Sequence, residues 1–199
     1  MTINGQDNFN FPNGINDLIP DRAELECEEL FIQADRLLSE NATMEAVEKL
    51  SQILKRNPRF GKAYNHLGWV FETKYKNSPR AEEYYKAAMA YAPTYNAAYL
   101  NYCYLLSNAA RFDELKAHLD KMSNMAGIAK DTIANEYAVM YEMQGNPQAA
   151  IDFYRKAAIV TLDSAKLDKY RDSIERCRKK IEMLSSAGGF QDFSPELDG

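Results

Sequence analysis

The chain has 199 residues and a mass of 22.7 kDa, with 46% hydrophobic and 27% charged residues, enough apolar material for a sizeable core and too much for a disordered or linker-dominated chain. Its 24 Lys and Arg against 29 Asp and Glu give a net charge of −5, which argues against nucleic acid as a partner. No apolar stretch approaches the ~20 residues of a bilayer span, so no membrane insertion is expected; Cys27, Cys103 and Cys177 are widely separated and odd in number, which fits reduced thiols better than disulfides or a zinc site.

Residues 1–22 are rich in Asn, Asp and Gly and read as a flexible segment without the basic start and apolar core of a secretory leader, which points to a cytoplasmic protein. From about Ala23 to Leu184 apolar residues recur at i, i+3, i+4 and i+7, and almost no window alternates with period two, so the fold is predicted to be all-α. Turn signals at Glu40-Asn41, Asn57-Pro58, Asn77-Ser78-Pro79, Ala92-Pro93, Asn108 to Arg111, Met125 to Ile128 and Gly145-Asn146-Pro147 divide this stretch into short helices. Ser78 and Asn146 are the expected N-caps, each followed by proline at the first helical position, and Gly145 closes the helix before it. A longer final helix, about Asp163 to Ser186, should end at Gly188-Gly189. Its Lys166 to Met183 stretch holds seven basic and four acidic residues, read as a solvated face with the pairs Asp168/Arg171, Asp172/Arg176 and Glu175/Lys179.

The chain also repeats itself. Tyr64-x2-Leu67-Gly68-x2-Phe71 is followed by Ala81-x3-Tyr85-x2-Ala88-x4-Pro93. The same places recur in Tyr99, Tyr102, Cys103, Leu106, Leu115, Leu119 and Met122, and again in Ala134, Tyr137, Ala138, Tyr141, Ala150, Tyr154 and Ala157. Upstream, Ala46-x3-Leu50-x2-Ile53-x4-Pro58 matches a second helix of the kind, after a looser first helix with Leu30, Ala34 and Leu37. These motifs resemble the tetratricopeptide repeat, with tyrosine at the usual tryptophan and one extra residue in the inter-helix turn of the repeat that starts at 61.

The resemblance implies a right-handed α-solenoid of about four helix pairs, at 27–60, 61–95, 96–130 and 131–162 within 23–162, then a capping helix at 163–186 and a flexible acidic tail at 187–199. The small residues at Gly68, Cys103, Ala138, Ala81, Ala88, Ala150 and Ala157 allow close helix approach, while Tyr64, Phe71, Tyr85, Tyr141 and Tyr154 fill the gaps between pairs.

In such arrays the first helix of each pair lines the concave face. One step round the wheel from the packing positions gives Lys62, Asn65, Trp69 and Glu72; then Ala97, Leu100, Tyr104 and Ser107; then Thr132, Asn135, Val139 and Glu142. Trp69, Leu100, Tyr104 and Val139 form an apolar track, and Asn65, Asn101 and Asn135 recur beside it. A primary amide both donates and accepts, as an extended peptide backbone requires, so a partner peptide seated in this groove is the expected ligand.

The family's carboxylate clamp, which grips the acidic C-termini of heat-shock chaperones, is matched only at Asn101. Asn65 and Thr132 stand for its lysines, Trp69 for its first asparagine and Glu136 for its arginine, so an anionic terminus would meet the wrong charge. The apolar groove is more similar to repeat proteins that shelter an apolar segment.

His66 and His118 have no ligand partners at metal spacing, and phosphate-loop, nucleophile-elbow and kinase motifs are missing; no cofactor, metal or catalytic residue is expected. The implied function is a non-enzymatic adaptor or substrate-holding chaperone. The alternatives are a structural subunit of a larger assembly and a regulatory peptide-sensing module. Phe190, Phe193 and Leu197 are a candidate docking motif for the chain's own groove or for homodimerisation through the ends.

Overall fold

The computed structural model describes residues 22–186; the candidate docking motif at Phe190, Phe193 and Leu197 and most of both expected flexible segments lie outside the described residues. Among the described residues the regular structure is all helical: α1 (Arg22–Ser39), α2 (Thr43–Arg56), α3 (Gly61–Thr73), α4 (Ser78–Tyr91), α5 (Asn96–Asn108), α6 (Phe112–Met122), α7 (Lys130–Met143), α8 (Pro147–Val160) and α9 (Ser164–Ser186). They form two compact units, one running through Pro93 and the other starting at Thr94. The first holds the pairs α1/α2 and α3/α4; the second holds α5/α6, α7/α8 and the single long helix α9.

Every pair turns on one residue in the left-handed conformation: Asn41 (φ 63°), Lys76 (φ 52°), Ala110 (φ 52°) and Gly145 (φ 72°). The N–H groups of Ala42, Arg111 and Asn146 reach back to the carbonyls of Leu37, Leu106 and Tyr141 at 2.8, 3.0 and 2.9 Å, closing the preceding helix in each case. In the α3–α4 turn the corresponding bond runs from Asn77 to Phe71 at 2.8 Å and spans one more residue. That is the extra residue expected from the motif spacing.

Only one of these four left-handed residues is glycine. Ala110→Gly is therefore expected to raise the stability of the second unit by about 0.5–1 kcal/mol, the relief at positive φ outweighing the added unfolded-state entropy. Gly145→Ala should lower it by about 1 kcal/mol, although a Cβ there would meet nothing within 4 Å. Urea unfolding of the two variants measures both signs.

Side-chain caps account for three helix starts, one of them at α9, where Asp163 accepts the N–H groups of Ala165 and Lys166 at 2.8 and 3.2 Å. The Asn146 side chain accepts the N–H of Ala149 at 3.0 Å, as expected. In α4 the cap is Asn77, accepting from Arg80 at 3.1 Å, and not Ser78, which is already helical. The longer turn moves the cap one residue upstream, and proline still falls in the first turn, where its missing N–H costs nothing.

In the first unit Cys27 and Ala34 of α1, Leu50 and Ile53 of α2, and Ala63 and Leu67 of α3 form a core that Phe60 joins from the connecting turn. Each large side chain buried there contributes roughly 2 kcal/mol. Gly68 lets α3 lie on the fully buried ring of Tyr85. In the second unit Ala138, Ala150 and Ala157 perform the same service for α7 and α8, around Tyr154. Tyr64, Phe71 and Tyr141, by contrast, are only half-buried, stacking with Tyr84 or Phe153 on the flank of their pairs.

The α5 and α6 backbones approach over a shorter length than those of α3/α4 or α7/α8. Cys103, Leu115 and Met122 stand there where the other pairs carry Gly or Ala. The wider gap takes His118, whose Nε2 donates to the Tyr99 carbonyl at 2.9 Å and whose ring packs on Tyr99 and Tyr102. Burial pushes its pKa below the ordinary histidine value, so it is held neutral. Cys27, Cys103 and Cys177 are free and buried.

Tyr170, Ile174, Cys177 and Ile181 of α9 complete the α7/α8 core. The charge pattern on this helix differs from expectation. Arg171 pairs with Asp168 at 3.0 Å, as read from the sequence. Arg176 turns instead to Glu142 of α7, and Glu175 pairs with Arg178 rather than Lys179. For Arg176, a nearly covered acid on another helix outcompetes an exposed one on its own, where such pairs are worth only a few tenths of a kcal/mol.

Candidate functional site

In the first unit the anticipated face of α3 lies against α1. Lys62 donates to Glu28 at 2.7 Å, with its ammonium 5.8 Å from the rings of both Phe31 and Phe60. His66 bonds Asp35 at 3.1 Å and packs its ring on Phe31 at 4.5 Å. Asn65 is buried at 3% exposure, so the expectation of equivalent exposed amides in successive repeats does not hold there; Lys62 and His66 on either side of it bond to α1. Trp69 is half-buried, with the Lys74 ammonium 5.6 Å from its ring. It lies in the first unit, whereas Leu100, Asn101, Tyr104, Asn135 and Val139 lie in the second.

Glu72 and Glu142, both on the expected stripe, have structural duties. Glu72 accepts the hydroxyl of buried Tyr85 at 2.7 Å, and Glu142 accepts that of Tyr154 at 2.8 Å, so the same acid-to-tyrosine bond ties α3 to α4 and α7 to α8. The matching places in the middle pair are Ser107 and Leu119, which cannot form it; the Ser107 hydroxyl instead donates to the Met143 sulfur at 3.6 Å.

Glu142 is also the anchor of α9. Arg176 grips it with two nitrogens at 2.8 Å each and Lys180 adds a third cationic bond at 2.7 Å. The Arg176 hydrogen bonds, outweighing burial, with Lys180 and Tyr154 adding to them, hold its carboxyl down at about 2. A second anchor is Asp131, which is buried and accepts from Lys166 at 2.9 Å and Tyr170 at 3.3 Å. Burial works against its charge, but the bonds from Lys166, Thr161 and the Thr132 N–H win, and its pKa lies below the ordinary aspartate value. The 34- to 39-residue separation of these acids from their partners on α9 puts the pairing beyond any local sequence pattern.

Tyr104, at 42% exposure, is the most open of the proposed contact residues; Leu100, Asn101 and Val139 are half-buried. The Asn135 amide donates to its neighbour Glu136 at 3.0 Å. Glu136 is 7% exposed, and burial pushes its carboxyl above the ordinary glutamate value against the opposing bond from Asn135. Its charge adds to the effect of burial in raising the pKa values of Cys103 and Tyr104 on α5, and makes a minor contribution, behind burial, Asp131 and Asp163, to that of Tyr170 on α9. The second unit thus presents a mixed face: an exposed tyrosine with half-buried aliphatic and amide groups on the same helices, and a buried acid, Glu136. Among the described residues there is no grouping of three or more side chains suited to a metal ion, and no helix is long and apolar enough to cross a membrane.

No curated protein matches the sequence. The fold has many solved counterparts. Pseudomonas aeruginosa PilF superposes with a TM-score of 0.66 at 17% identity, covering 85% of this chain and 79% of that one. The Thermus thermophilus tetratricopeptide repeat protein TTC0263 gives 0.58 at 20% identity, covering 76% and 82%. A chain of the APC/C hetero-tetramer Cut9–Hcn1 gives 0.66 at 18% identity, covering 86% of this chain and 33% of that one. At such identities the likeness establishes a shared helical-repeat fold. A tetratricopeptide repeat family model matches residues 28–181, most of the chain. With the repeated helix pairs, their small-residue seams and their recurring turns, this match shows that the chain belongs to the tetratricopeptide repeat family.

Proposed function

We propose that the chain is a non-enzymatic, cytoplasmic protein-interaction module, an adaptor or a substrate-holding chaperone, that seats a partner peptide on the exposed face of its first helices. Proteins of this family generally mediate protein–protein contacts or scaffold assemblies. The observation that carries the finer reading is the Tyr104 face: an aromatic side chain 42% exposed, flanked on α5 and α7 by half-buried Leu100, Asn101, Asn135 and Val139. Large amphipathic side chains with amides beside them match what an extended peptide offers, apolar side chains alternating with backbone donors and acceptors. Trp69 and Lys62 mark the corresponding face of the first unit, though Lys62 is already engaged by Glu28.

Tyr104→Ala is expected to weaken capture of the native partner about tenfold or more, with helicity unchanged. Undiminished capture by a folded variant would reject the reading.

A second reading, a subunit of a larger assembly, is favoured by one observation: Ile159, Leu162 and Leu167 are exposed at 82%, 104% and 46% around the α8–α9 junction. Leu162→Ser with Leu167→Ser would abolish incorporation into a native complex on that reading. It would leave peptide capture intact on the first.

A further inference from the structure

Two buried carboxylates sit in the second unit, and only one has a cation. Asp131 faces the Lys166 ammonium and the Tyr170 hydroxyl. Glu136, 7% exposed, has among the described residues only the amide of its neighbour Asn135. Other acids on the first helices meet a base: Glu28 pairs with Lys62, Asp35 with His66, and Glu142 with Arg176 and Lys180. An ionised carboxylate withdrawn from water without a counter-charge is one of the least favourable arrangements a protein can hold. The titratable groups close enough to feel the Glu136 charge, Cys103 and Tyr104 of α5 and Tyr170 of α9, are themselves acids and supply no positive charge.

We infer that Glu136, with Asn135 and Tyr104, forms a recognition site for a cationic side chain of the partner, an arginine in particular. The inference rests on the peptide-seating face proposed above and names the chemistry that face selects. A guanidinium suits the three groups together. It donates to a carboxylate through two parallel bonds, it is weakly hydrated and so enters a partly desolvated site, and its flat face stacks on an exposed tyrosine ring. The Asn135 amide, now donating to Glu136, retains its carbonyl oxygen as a further acceptor. An anionic ligand group is excluded by the same acid. Burial also raises the Glu136 carboxyl above its ordinary pKa, and a bound cation would oppose that shift.

The test uses the full chain with carbon-13 in its glutamate carboxyls, titrated at neutral pH with N-acetyl-arginine amide and, in parallel, with its uncharged isostere N-acetyl-citrulline amide. The expected result is a saturable shift of the Glu136 carboxyl resonance with the arginine compound, roughly tenfold weaker or more with citrulline, and loss of arginine binding in Glu136→Gln with the other glutamate signals unmoved. Equal responses to both compounds, no saturable shift, or unchanged arginine binding in Glu136→Gln would overturn the inference. Partner capture by Tyr104→Ala is read separately. Capture lost there but no arginine response sinks this site alone, whereas an arginine response with undiminished capture sinks the peptide-seating face.

Discussion

Glu142→Gln is expected to lower the stability of the second unit by about 1–2 kcal/mol, less than for a fully buried ion pair because Arg176 and Lys180 are about half exposed while the acid is nearly covered. The carboxylate is the meeting point of three helices: Tyr154 of α8 and Arg176 and Lys180 of α9 all donate to it. The amide of glutamine keeps the size but loses the charge and presents one acceptor where four bonds converge. Because α9 covers the α7/α8 core through Tyr170, Ile174 and Cys177, the loss should appear first as faster hydrogen exchange throughout Ser164–Ser186. Exchange in α9 equal to wild type, with an unchanged urea midpoint, would refute this role.

The same group sets an acid limit. Its carboxyl lies at about 2 in the folded chain against an ordinary value of 4.5, so its stabilisation is fully present above pH 4.5 and fades as pH falls from 4.5 towards 2. Glu142→Gln should therefore flatten the decline of stability over that window.

Gly68→Ala is expected to destabilise the first unit by about 2 kcal/mol, although alanine is the better helix former by about 1 kcal/mol. A Cβ at this position would come within 2.6 Å of two ring carbons of Tyr85. That ring is fully buried, and its hydroxyl is held by Glu72 at 2.7 Å, so it cannot turn aside without giving up a buried bond to a carboxylate. Tyr85→Phe releases the hydroxyl tether and gives the ring more freedom to yield. The cost of Gly68→Ala measured in the Tyr85→Phe background should then be smaller. An alanine variant as stable as wild type would show that the close approach at Gly68 is not what joins α3 to α4.

Both expectations concern residues whose type was readable and whose partners were only partly so. Gly68 and Tyr85 belong to a motif repeated along the chain, and repetition reveals packing because each pair solves the same steric problem. The four helix pairs, the long last helix, the proline-marked starts of α4 and α8 and the extra residue between α3 and α4 were legible for that reason. The left-handed residues at Lys76 and Ala110 were not, since nothing in a lysine or an alanine announces positive φ. Their register with Asn41 and Gly145 was the available signal.

The functional face was less legible. Helical rotation identifies which residues leave the pair's own seam, but not whether the next first helix covers them. Asn65 is buried and Lys62 engaged by α1, while Leu100, Asn101 and Val139 stay half-open and Tyr104 open. Glu142 sat on the expected stripe as a possible contact and proves to be the clasp of α9. Glu136 was noticed only as a charge that spoils a clamp for acidic termini. Its burial beside Asn135, a tertiary fact with no local pattern, turns that negative observation into a positive one.

Placing a photoreactive benzoylphenylalanine at Tyr104, and in a parallel chain at the exposed Arg155 of α8, tests the central claim most directly when each is irradiated with its native partner present. If the first-helix face seats the partner, the position-104 probe forms a covalent adduct with it and the position-155 probe does not. An adduct at position 155 and none at 104 would place the partner on the second-helix side and contradict the account.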